Sequence, residues 1–386
     1  MTPALDRPFG VYVHIPFCAA RCDYCDFATW TDRSGELITA YVDACVTDVT
    51  RRYTREDCPP ATSIFFGGGT PSLLPAGELV RILDAIPRVS DAEVTVECNP
   101  ESADEAKLRS YRDHGVTRLS FGVQSMVPHV LLSLGRVHNP ESVERCVGTA
   151  RDLGFETFNL DLIYGASGES TDDWRRTIER VLELDPPHIS ASALTVESGT
   201  PLARRVGEGE CAAPDDDDQA EKYITADELF ADAGLDWYEI SNWARPGNEC
   251  RHNRLYWDQG EYLGIGCAAH GHTGALRWWN VRTPERYVDL VRHDGTAEAG
   301  SEALGESARS EEAITLSLRT RSGVVADPVQ VECSRIVEEG LATWESANLV
   351  LTQRGRLLAN DATARLLAAG DVVRELAPTG RPAGRG

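Results

Sequence analysis

Short apolar runs alternate with amphipathic stretches along the first half of the chain, which is the pattern of alternating strands and helices. The apolar runs are Phe9–Ile15, Ser63–Gly67, Glu93–Glu97, Arg118–Gly122, Thr157–Ile163 and His188–Ala193. The amphipathic stretches are Glu36–Arg52, Ala76–Ile86, Asp104–His114, Pro140–Leu153 and Thr171–Leu184. Asn139 and Pro140 form a typical helix start, and Gly115 and Gly154 stand where helices should stop. Six such units predict a parallel sheet covered by helices, either as a partial barrel or as a doubly wound sheet.

The pattern is less regular in the second half of the chain. An acidic run, Asp215–Asp218, precedes a helical stretch at Gln219–Ala233. We interpret this run as a solvated helix start, because negative charge favours helix N-termini. The spaced ligands of an EF-hand calcium loop are missing there. The segment Trp237–Trp279 is rich in aromatic side chains, and residues Thr296–Ser310 are small and polar and predict a linker.

The remaining pattern predicts a small C-terminal α+β domain. Helices are expected at Glu311–Leu318 and Asp327–Ala347, followed by a strand and turn at Leu349–Arg356. The predicted organisation is the parallel sheet of βα units at 1–200, an extension at 201–300, the small domain at 301–377 and a disordered tail at 378–386.

The composition predicts a folded, water-soluble protein. Hydrophobic residues make up 42% and charged residues 26%, which is enough apolar material for a large core. The formal net charge of −23 repels phosphate backbones, so the sequence predicts no nucleic-acid partner. No apolar run approaches the roughly 18 residues of a membrane-spanning helix, and the polar stretch Met1–Arg7 does not resemble a signal peptide. We therefore expect a cytoplasmic protein.

Three of the 11 cysteines lie within eight residues, at Cys18, Cys22 and Cys25. In a reducing compartment such a cluster indicates a metal centre or catalysis rather than disulfides. A structural zinc site needs four ligands, which here would require His14. A four-iron cluster held by three thiolates leaves one iron open to a ligand. The spacing therefore favours an iron–sulfur cluster, with zinc or three packed cysteines as the alternatives.

The C-x3-C-x2-C spacing resembles that of the radical S-adenosylmethionine (SAM) superfamily. The preceding segment, Tyr12-x-His14-Ile15-Pro16-Phe17, is similar to the branch that contains oxygen-independent coproporphyrinogen III oxidase and related haem chaperones. The resemblance runs from about Phe9 to Leu358. It implies a partial (β/α)6 barrel with a small C-terminal domain, and a [4Fe–4S] cluster whose open iron binds SAM.

Polar residues at the ends of the apolar runs are candidate SAM contacts. The glycines of Gly67-Gly68-Gly69-Thr70-Pro71 allow close backbone approach to a ligand, although a glycine-rich turn alone is common. Asp161 stands in an apolar strand and needs a partner, which could be Arg136. The resemblance assigns cofactor binding to Tyr12, Tyr24, Gly68, Gly69, Thr70, Glu97, Gln124, Arg136, Asp161 and Thr195.

Two features separate the chain from the oxidase. The oxidase pattern has a fourth cysteine two residues after the third, where this chain has Phe27, and its N-terminal extension is longer. The segment His252-Asn253-Arg254-Leu255-Tyr256-Trp257 matches the HNxxYW motif of the HemW family of haem chaperones. A histidine followed by aromatic residues suits a haem, with imidazole on the iron and the rings against the macrocycle. The alternative iron ligands are Cys250, Cys267 and His270. His252 could also be a core residue whose ring is hydrogen-bonded rather than bound to iron.

The resemblance therefore implies a non-enzymatic haem chaperone with no catalytic residue of its own. The expected partners are haem, an electron donor for the cluster, and haem-recipient respiratory enzymes, which would bring the protein to the membrane periphery. A second copy of the chain, in a homodimer, is a further candidate partner. The alternative is a radical SAM oxidoreductase that decarboxylates coproporphyrinogen III to protoporphyrinogen IX.

Overall fold

The computed structural model describes residues 7–55, 58–136, 138–326 and 330–369. The strands are β1 (Phe9–Ile15), β2 (Ala61–Gly68), β3 (Arg88–Cys98), β4 (Arg118–Gln124), β5 (Thr157–Tyr164), β6 (His188–Ala193), β7 (Asp236–Glu239), β8 (Asn242–Ala244), β9 (Glu261–Ile265), β10 (His270–Thr273), β11 (Leu276–Asn280), β12 (Glu298–Ala303), β13 (Val324–Val325), β14 (Ala342–Glu345) and β15 (Asn348–Leu351). The α-helices are α1 (Gly35–Arg55), α2 (Ala76–Ala85), α3 (Glu105–Asp113), α4 (Pro128–Ser133), α5 (Pro140–Asp152), α6 (Thr171–Glu183), α7 (Pro201–Gly207), α8 (Asp216–Asp232), α9 (Arg251–Trp257), α10 (Pro284–His293), α11 (Glu306–Leu318), α12 (Val331–Glu338), α13 (Gln353–Leu357) and α14 (Ala359–Ala369).

The described residues from Phe9 to Ala193 form the predicted βα units around a parallel sheet. Strands β1 to β6 lie side by side in chain order, and β9 adds a further parallel strand beside β1. Antiparallel strands extend both edges, β10 to β12 beyond β9 and then β8 and β7 beyond β6. Val11, Val13 and Ile15 of β1 are fully buried, as expected for a strand of a parallel sheet. The α/β fold with a parallel sheet is confirmed.

The predicted helices of this half are confirmed to within a few residues. Asn139 accepts a hydrogen bond from the Ser142 amide and so caps α5, which begins at Pro140. Gly115 and Gly154 take left-handed backbone angles, with φ of 92° and 79°, at the ends of α3 and α5. The acidic run also behaves as predicted, because Asp215 caps α8 by accepting from the Asp218 amide.

The predicted linker at 296–310 is wrong. Residues 298–303 form β12, an edge strand paired antiparallel with β11, and α11 begins at Glu306. Small polar residues suit this strand because it lies at the edge of the sheet and most of its side chains are exposed. β12 also continues the sheet across the domain boundary predicted at residue 300.

The helix predicted at 327–347 is shorter than expected. Within the described residues it spans Val331–Glu338, and Gly340 takes a left-handed φ of 73°. The chain then enters β14, which pairs with β15 in a separate sheet of β13, β15 and β14. Gly340 is a typical helix-ending residue, but the helical pattern of the segment predicts a helix that continues past it. The predicted tail at 378–386 lies outside the described residues.

The C-terminal elements build their own apolar core against the barrel. Ile314 and Leu318 of α11 pack with Ile336, Leu349 and Leu366. Ion pairs join this unit to the rest, among them Arg319 with Glu239 at 2.7 Å and Arg356 with Asp227 at 2.6 Å. Across the four described ranges, no helix is both long and apolar enough to span a lipid bilayer.

Candidate cofactor site and the adjoining cavity

The three cysteines lie in an irregular loop, the cysteine loop, which directly follows β1. Its base is closed by two backbone hydrogen bonds, from the Cys18 amide to the Trp30 carbonyl at 2.9 Å and from the Trp30 amide to the Pro16 carbonyl at 2.8 Å. Cys18 is buried, whereas Cys22 and Cys25 are half-buried. Burial raises the pKa of the Cys18 thiol to about 11, so binding of a metal there would have to release a proton.

A second element holds the outer part of the cysteine loop. Arg205 of α7 forms an ion pair with Asp23 at 2.8 Å, and the Leu202 amide donates to the Asp23 carbonyl at 2.9 Å. Sequence reasoning missed both contacts, because some 180 residues separate the partners. Both contacts help to fix the chain between Cys22 and Cys25.

The glycine-rich segment after β2 packs directly beneath the cysteine loop. The Gly69 amide donates to the Ile15 carbonyl at 2.8 Å and the Thr70 amide to the Phe17 carbonyl at 2.9 Å. A side chain at Gly69 would lie only 2.8 Å from the Phe17 carbonyl oxygen. The Thr70 hydroxyl lies 3.8 Å from the Cys18 sulfur. These glycines are therefore needed for the approach of two backbone segments, in addition to any contact with a ligand.

Two half-buried carboxylates face the same space from β3 and β5. Glu97 accepts from the Gly68 amide at 3.2 Å, and Asp161 accepts from the Ser190 hydroxyl at 2.6 Å. Burial, and then the charge of Asp161, raise the pKa of Glu97 to about 8. Burial also raises the pKa of Asp161. Two carboxylates that are costly to ionise suit a ligand that brings positive charge.

We expect Glu97 to make the protein less stable as pH rises. The folded chain keeps the Glu97 proton up to about pH 8, whereas the unfolded chain loses it near the ordinary value of 4.5. The unfolded state therefore binds fewer protons between these values, and the free energy of unfolding falls as pH increases. Urea denaturation of the ligand-free protein at several pH values in this window measures the effect. The free energy of unfolding should fall less steeply with pH in Glu97→Gln than in the wild type. The matched control is Glu105→Gln, which changes an exposed glutamate. If the free energy of unfolding depends on pH equally in all three proteins, the raised pKa of Glu97 is contradicted.

Gln124 and Arg136 supply polar groups that lack partners. Gln124 has a left-handed φ of 60°, which is unusual for a residue other than glycine and often marks a functional site. Among the described residues its buried Oε1 has no hydrogen-bond partner, and neither has the buried Nε of Arg136. Arg136 donates to Asn99 at 2.9 Å and lies 3.5 Å from the Cys22 sulfur. Asp161 is thus satisfied by Ser190 rather than by the ion pair with Arg136 considered from the sequence.

The structure brings most of the predicted site residues around one space, which we call the cofactor cavity. The predicted residues that line it are Cys18, Cys22, Tyr24, Cys25, Gly68, Gly69, Thr70, Glu97, Gln124, Arg136 and Asp161. Asn99 also lines it and was missed by sequence reasoning, although it follows Glu97 by only two positions. Thr195 is exposed in the loop after β6 and does not line this cavity.

A second space, which we call the aromatic cavity, adjoins the first and has a volume of about 720 Å³. Phe27, Gly68 and Glu97 line both cavities. Tyr12 lines the aromatic cavity rather than the cofactor cavity. Phe27 is 63% exposed at the position where the oxidase pattern has its fourth cysteine.

His252 faces neither cavity. Its side chain is fully buried, with Nδ1 at 2.9 Å from the Ser63 hydroxyl and Nε2 at 2.8 Å from the Tyr256 hydroxyl. Both ring nitrogens are thus engaged, as in the core-histidine alternative considered from the sequence. Tyr256 lines the aromatic cavity, so His252 supports the cavity wall from behind. The alternatives Cys250 and Cys267 are also buried, whereas His270 lines the cavity.

The residues of the cofactor cavity fit the cofactors that the resemblance implies. The thiolates of the cysteine loop suit iron, and His14 does not join them because its ring nitrogens contact the Ala28 carbonyl and the Tyr12 hydroxyl. Among the described residues no three His, Cys, Asp or Glu side chains are grouped to hold a single metal ion. A four-iron cluster does not need three ligands around a single ion, because each thiolate binds a different iron atom. The unpartnered Gln124 and Arg136 atoms and the two carboxylates suit a zwitterionic amino acid that carries a sulfonium.

The chain is similar over most of its length to curated proteins. A family model described as the radical SAM superfamily matches residues 12–181. "Heme chaperone HemW" of Mycobacterium tuberculosis (strain H37Rv) is 42% identical over 377 residues, which are 95% of this chain and 96% of that protein. "Heme chaperone HemW" of Escherichia coli (strain K12) is 32% identical over 376 residues, which are 94% of this chain and 98% of that protein.

A solved structure has the same fold. Coproporphyrinogen III oxidase (HemN) from Escherichia coli, described as a radical SAM enzyme, superposes with a TM-score of 0.79. The superposition covers 95% of this chain and 90% of the oxidase chain, and the two are 22% identical in sequence. At that identity the likeness concerns the fold alone.

Proposed function

The chain belongs to the HemW family of haem chaperones within the radical SAM superfamily, and from this premise we propose that it binds haem and delivers it to respiratory enzymes. The observation that carries the proposal is the likeness to these chaperones over nearly the whole chain. The aromatic cavity beside the cofactor cavity gives it a structural basis. The proposal also includes an electron donor for the cluster, and recipients at the membrane.

We propose that Cys18, Cys22 and Cys25 hold a [4Fe–4S] cluster and that SAM binds beside it. When bound, the reduced cluster can supply one electron to the SAM sulfonium. Arg136 is placed to stabilise the Cys22 thiolate and to bind a carboxylate. Glu97 and Asp161 would balance the positive charge of the ligand, and Gln124 would complete its hydrogen bonds. The Thr195 assignment depends on the resemblance alone.

A haem titration tests the chaperone proposal. Haem added to the anaerobic, cluster-loaded protein should give a saturable absorbance change that corresponds to one haem per chain. Coproporphyrinogen III supplied with SAM and a reductant should remain unchanged in the same preparation. Absence of haem binding, together with formation of protoporphyrinogen IX, would overturn the proposal in favour of the oxidase.

A further inference from the structure

One wall of the aromatic cavity is a continuous face of the sheet formed by β9, β10 and β11. His270 pairs directly with Trp279 across β10 and β11, and His272 pairs with Arg277 on β11 and with Tyr262 on β9. Residues that are paired across antiparallel strands, or that lie two apart on one strand, share a face. All five side chains line the cavity. The wall is therefore broad and largely aromatic.

The histidines of this wall differ in their availability. His272 is 8% exposed, and its Nδ1 donates to the Gly260 carbonyl at 3.1 Å, which leaves Nε2 as the acceptor nitrogen. That buried Nε2 has no hydrogen-bond partner in the part of the chain that the structure describes. The His270 side chain is exposed, and its ring lies beside Trp279 with centroids 6.0 Å apart. Partial desolvation of the ring at the cavity wall, and then the charge of Arg277, lower the pKa of His270, which favours a neutral imidazole at neutral pH.

We propose that haem binds in the aromatic cavity with His270 as the axial ligand of its iron and the macrocycle packed against Trp279 and Tyr262. This inference rests on the proposed function and names the site at which haem would be held. A neutral imidazole is a common protein ligand of haem iron, and aromatic faces suit the flat macrocycle. The volume of about 720 Å³ lies within the range of roughly 300–1,000 Å³ that is typical of ligand sites. The unpartnered Nε2 of His272 is an independent sign of a ligand at this wall.

The strand geometry also limits the iron to one ligand from this wall. His270 and His272 lie two residues apart on one face, so their backbones are separated by only about 7 Å along the strand. Two such side chains approach from the same side and cannot occupy opposite faces of one haem. The second axial position then stays open, as suits a carrier that must release its haem to another protein.

The charges at one end of the cavity indicate how haem would enter. Arg277 is paired with Glu302 at 3.0 Å and with Glu312 at 2.6 Å. The two carboxylates outnumber the guanidinium, so this end repels the haem propionates. We expect the propionates to face the solvent and the apolar edge to enter first. Leu316 of α11 lines the cavity, and so the C-terminal unit forms part of its wall.

The test compares His270→Ala with the wild type by haem titration of the cluster-loaded proteins. We expect the substitution to weaken haem binding at least about tenfold and to change the absorbance of the bound haem. Added imidazole should restore the wild-type spectrum by replacing the missing ligand. The control is His293→Ala, which removes an exposed histidine of α10 outside the cavity and should bind haem normally. Circular dichroism and cluster absorbance confirm that each variant is folded.

His270→Cys gives a second readout that a merely structural role would not produce. A thiolate in place of imidazole should retain haem but give a sulfur-ligated spectrum. If the wild type binds haem and both His270 variants bind it with unchanged affinity and spectrum, the site is wrong while the chaperone stands. Loss of binding in His272→Ala alone would move the ligand to His272 and also overturn the assignment. Failure of the wild type to bind haem would instead overturn the proposed function.

Discussion

Cys22→Ser is expected to abolish the iron–sulfur cluster while leaving the chain folded. With only three thiolates available, loss of one leaves two ligands for four irons, and a serine hydroxyl is a harder, far less acidic donor. Cys22 is half-buried in a loop outside the strands and helices, so the substitution removes little packing. Iron content per chain and the sulfur-to-iron absorbance after anaerobic reconstitution should fall almost to background. Circular dichroism should be unchanged.

The control for this variant is Cys211→Ser. Cys211 is also half-buried, but it lies outside the cysteine loop and does not line the cofactor cavity. It should retain the full iron content, which excludes a general effect of removing a thiol. A four-iron spectrum that persists in Cys22→Ser would overturn the ligand assignment.

Arg356→Met is expected to cause a large loss of stability. Arg356 makes a two-pronged ion pair with Asp227 at 2.8 and 2.6 Å, donates to the Tyr223 hydroxyl at 2.9 Å and packs over Trp237. Both charged side chains are largely buried. Removing one partner leaves a buried carboxylate, so the free energy of unfolding should fall by about 3–5 kcal/mol. Urea denaturation followed by tryptophan fluorescence measures this loss.

The pKa of Asp227 explains why the effect should be large. Burial alone would raise it, but the hydrogen bonds and charge of Arg356 outweigh burial and lower it below its ordinary value. In Arg356→Met the hydrogen bonds from Trp243 and Gln353 remain, but the charge that balances the buried carboxylate is lost. The stability lost should be partly recovered by the second substitution Asp227→Asn. The control is Arg245→Met, because Arg245 pairs with Asp185 at the surface and should contribute only about 0–1 kcal/mol. Equal effects of the two arginine substitutions would contradict the prediction.

Most of the cofactor cavity could be predicted because its residues come from short local patterns. The spacing of Cys18, Cys22 and Cys25 and the glycines at 68 and 69 are readable without knowledge of the fold. Glu97 and Gln124 end parallel strands, and such ends meet at one edge of a sheet. Asn99 and Arg205 were missed because their partners, Arg136 and Asp23, are distant in sequence.

The prediction of His252 as a haem ligand shows the limit of motif reasoning. The sequence identifies a histidine followed by aromatic residues but does not say which way each side chain points. In the structure His252 lies between Ser63 and Tyr256, and only the tyrosine reaches a cavity. The linker predicted at 296–310 failed for a similar reason. Its small polar residues suit an edge strand as well as a loop, and only the pairing with β11 decides between them.

The sequence by itself determined the order of the βα units, the cysteine loop and the family, because these depend on residues close together in the chain. The tertiary structure decided which polar groups are left without partners and which histidine faces open space. Those properties depend on the register of β9 to β12 and on contacts across the sheet. One residue of register separates an inward from an outward side chain. That choice leaves His270 exposed beside Trp279. His252 lies on α9 instead, and its contacts with Ser63 and Tyr256 hold it in the core.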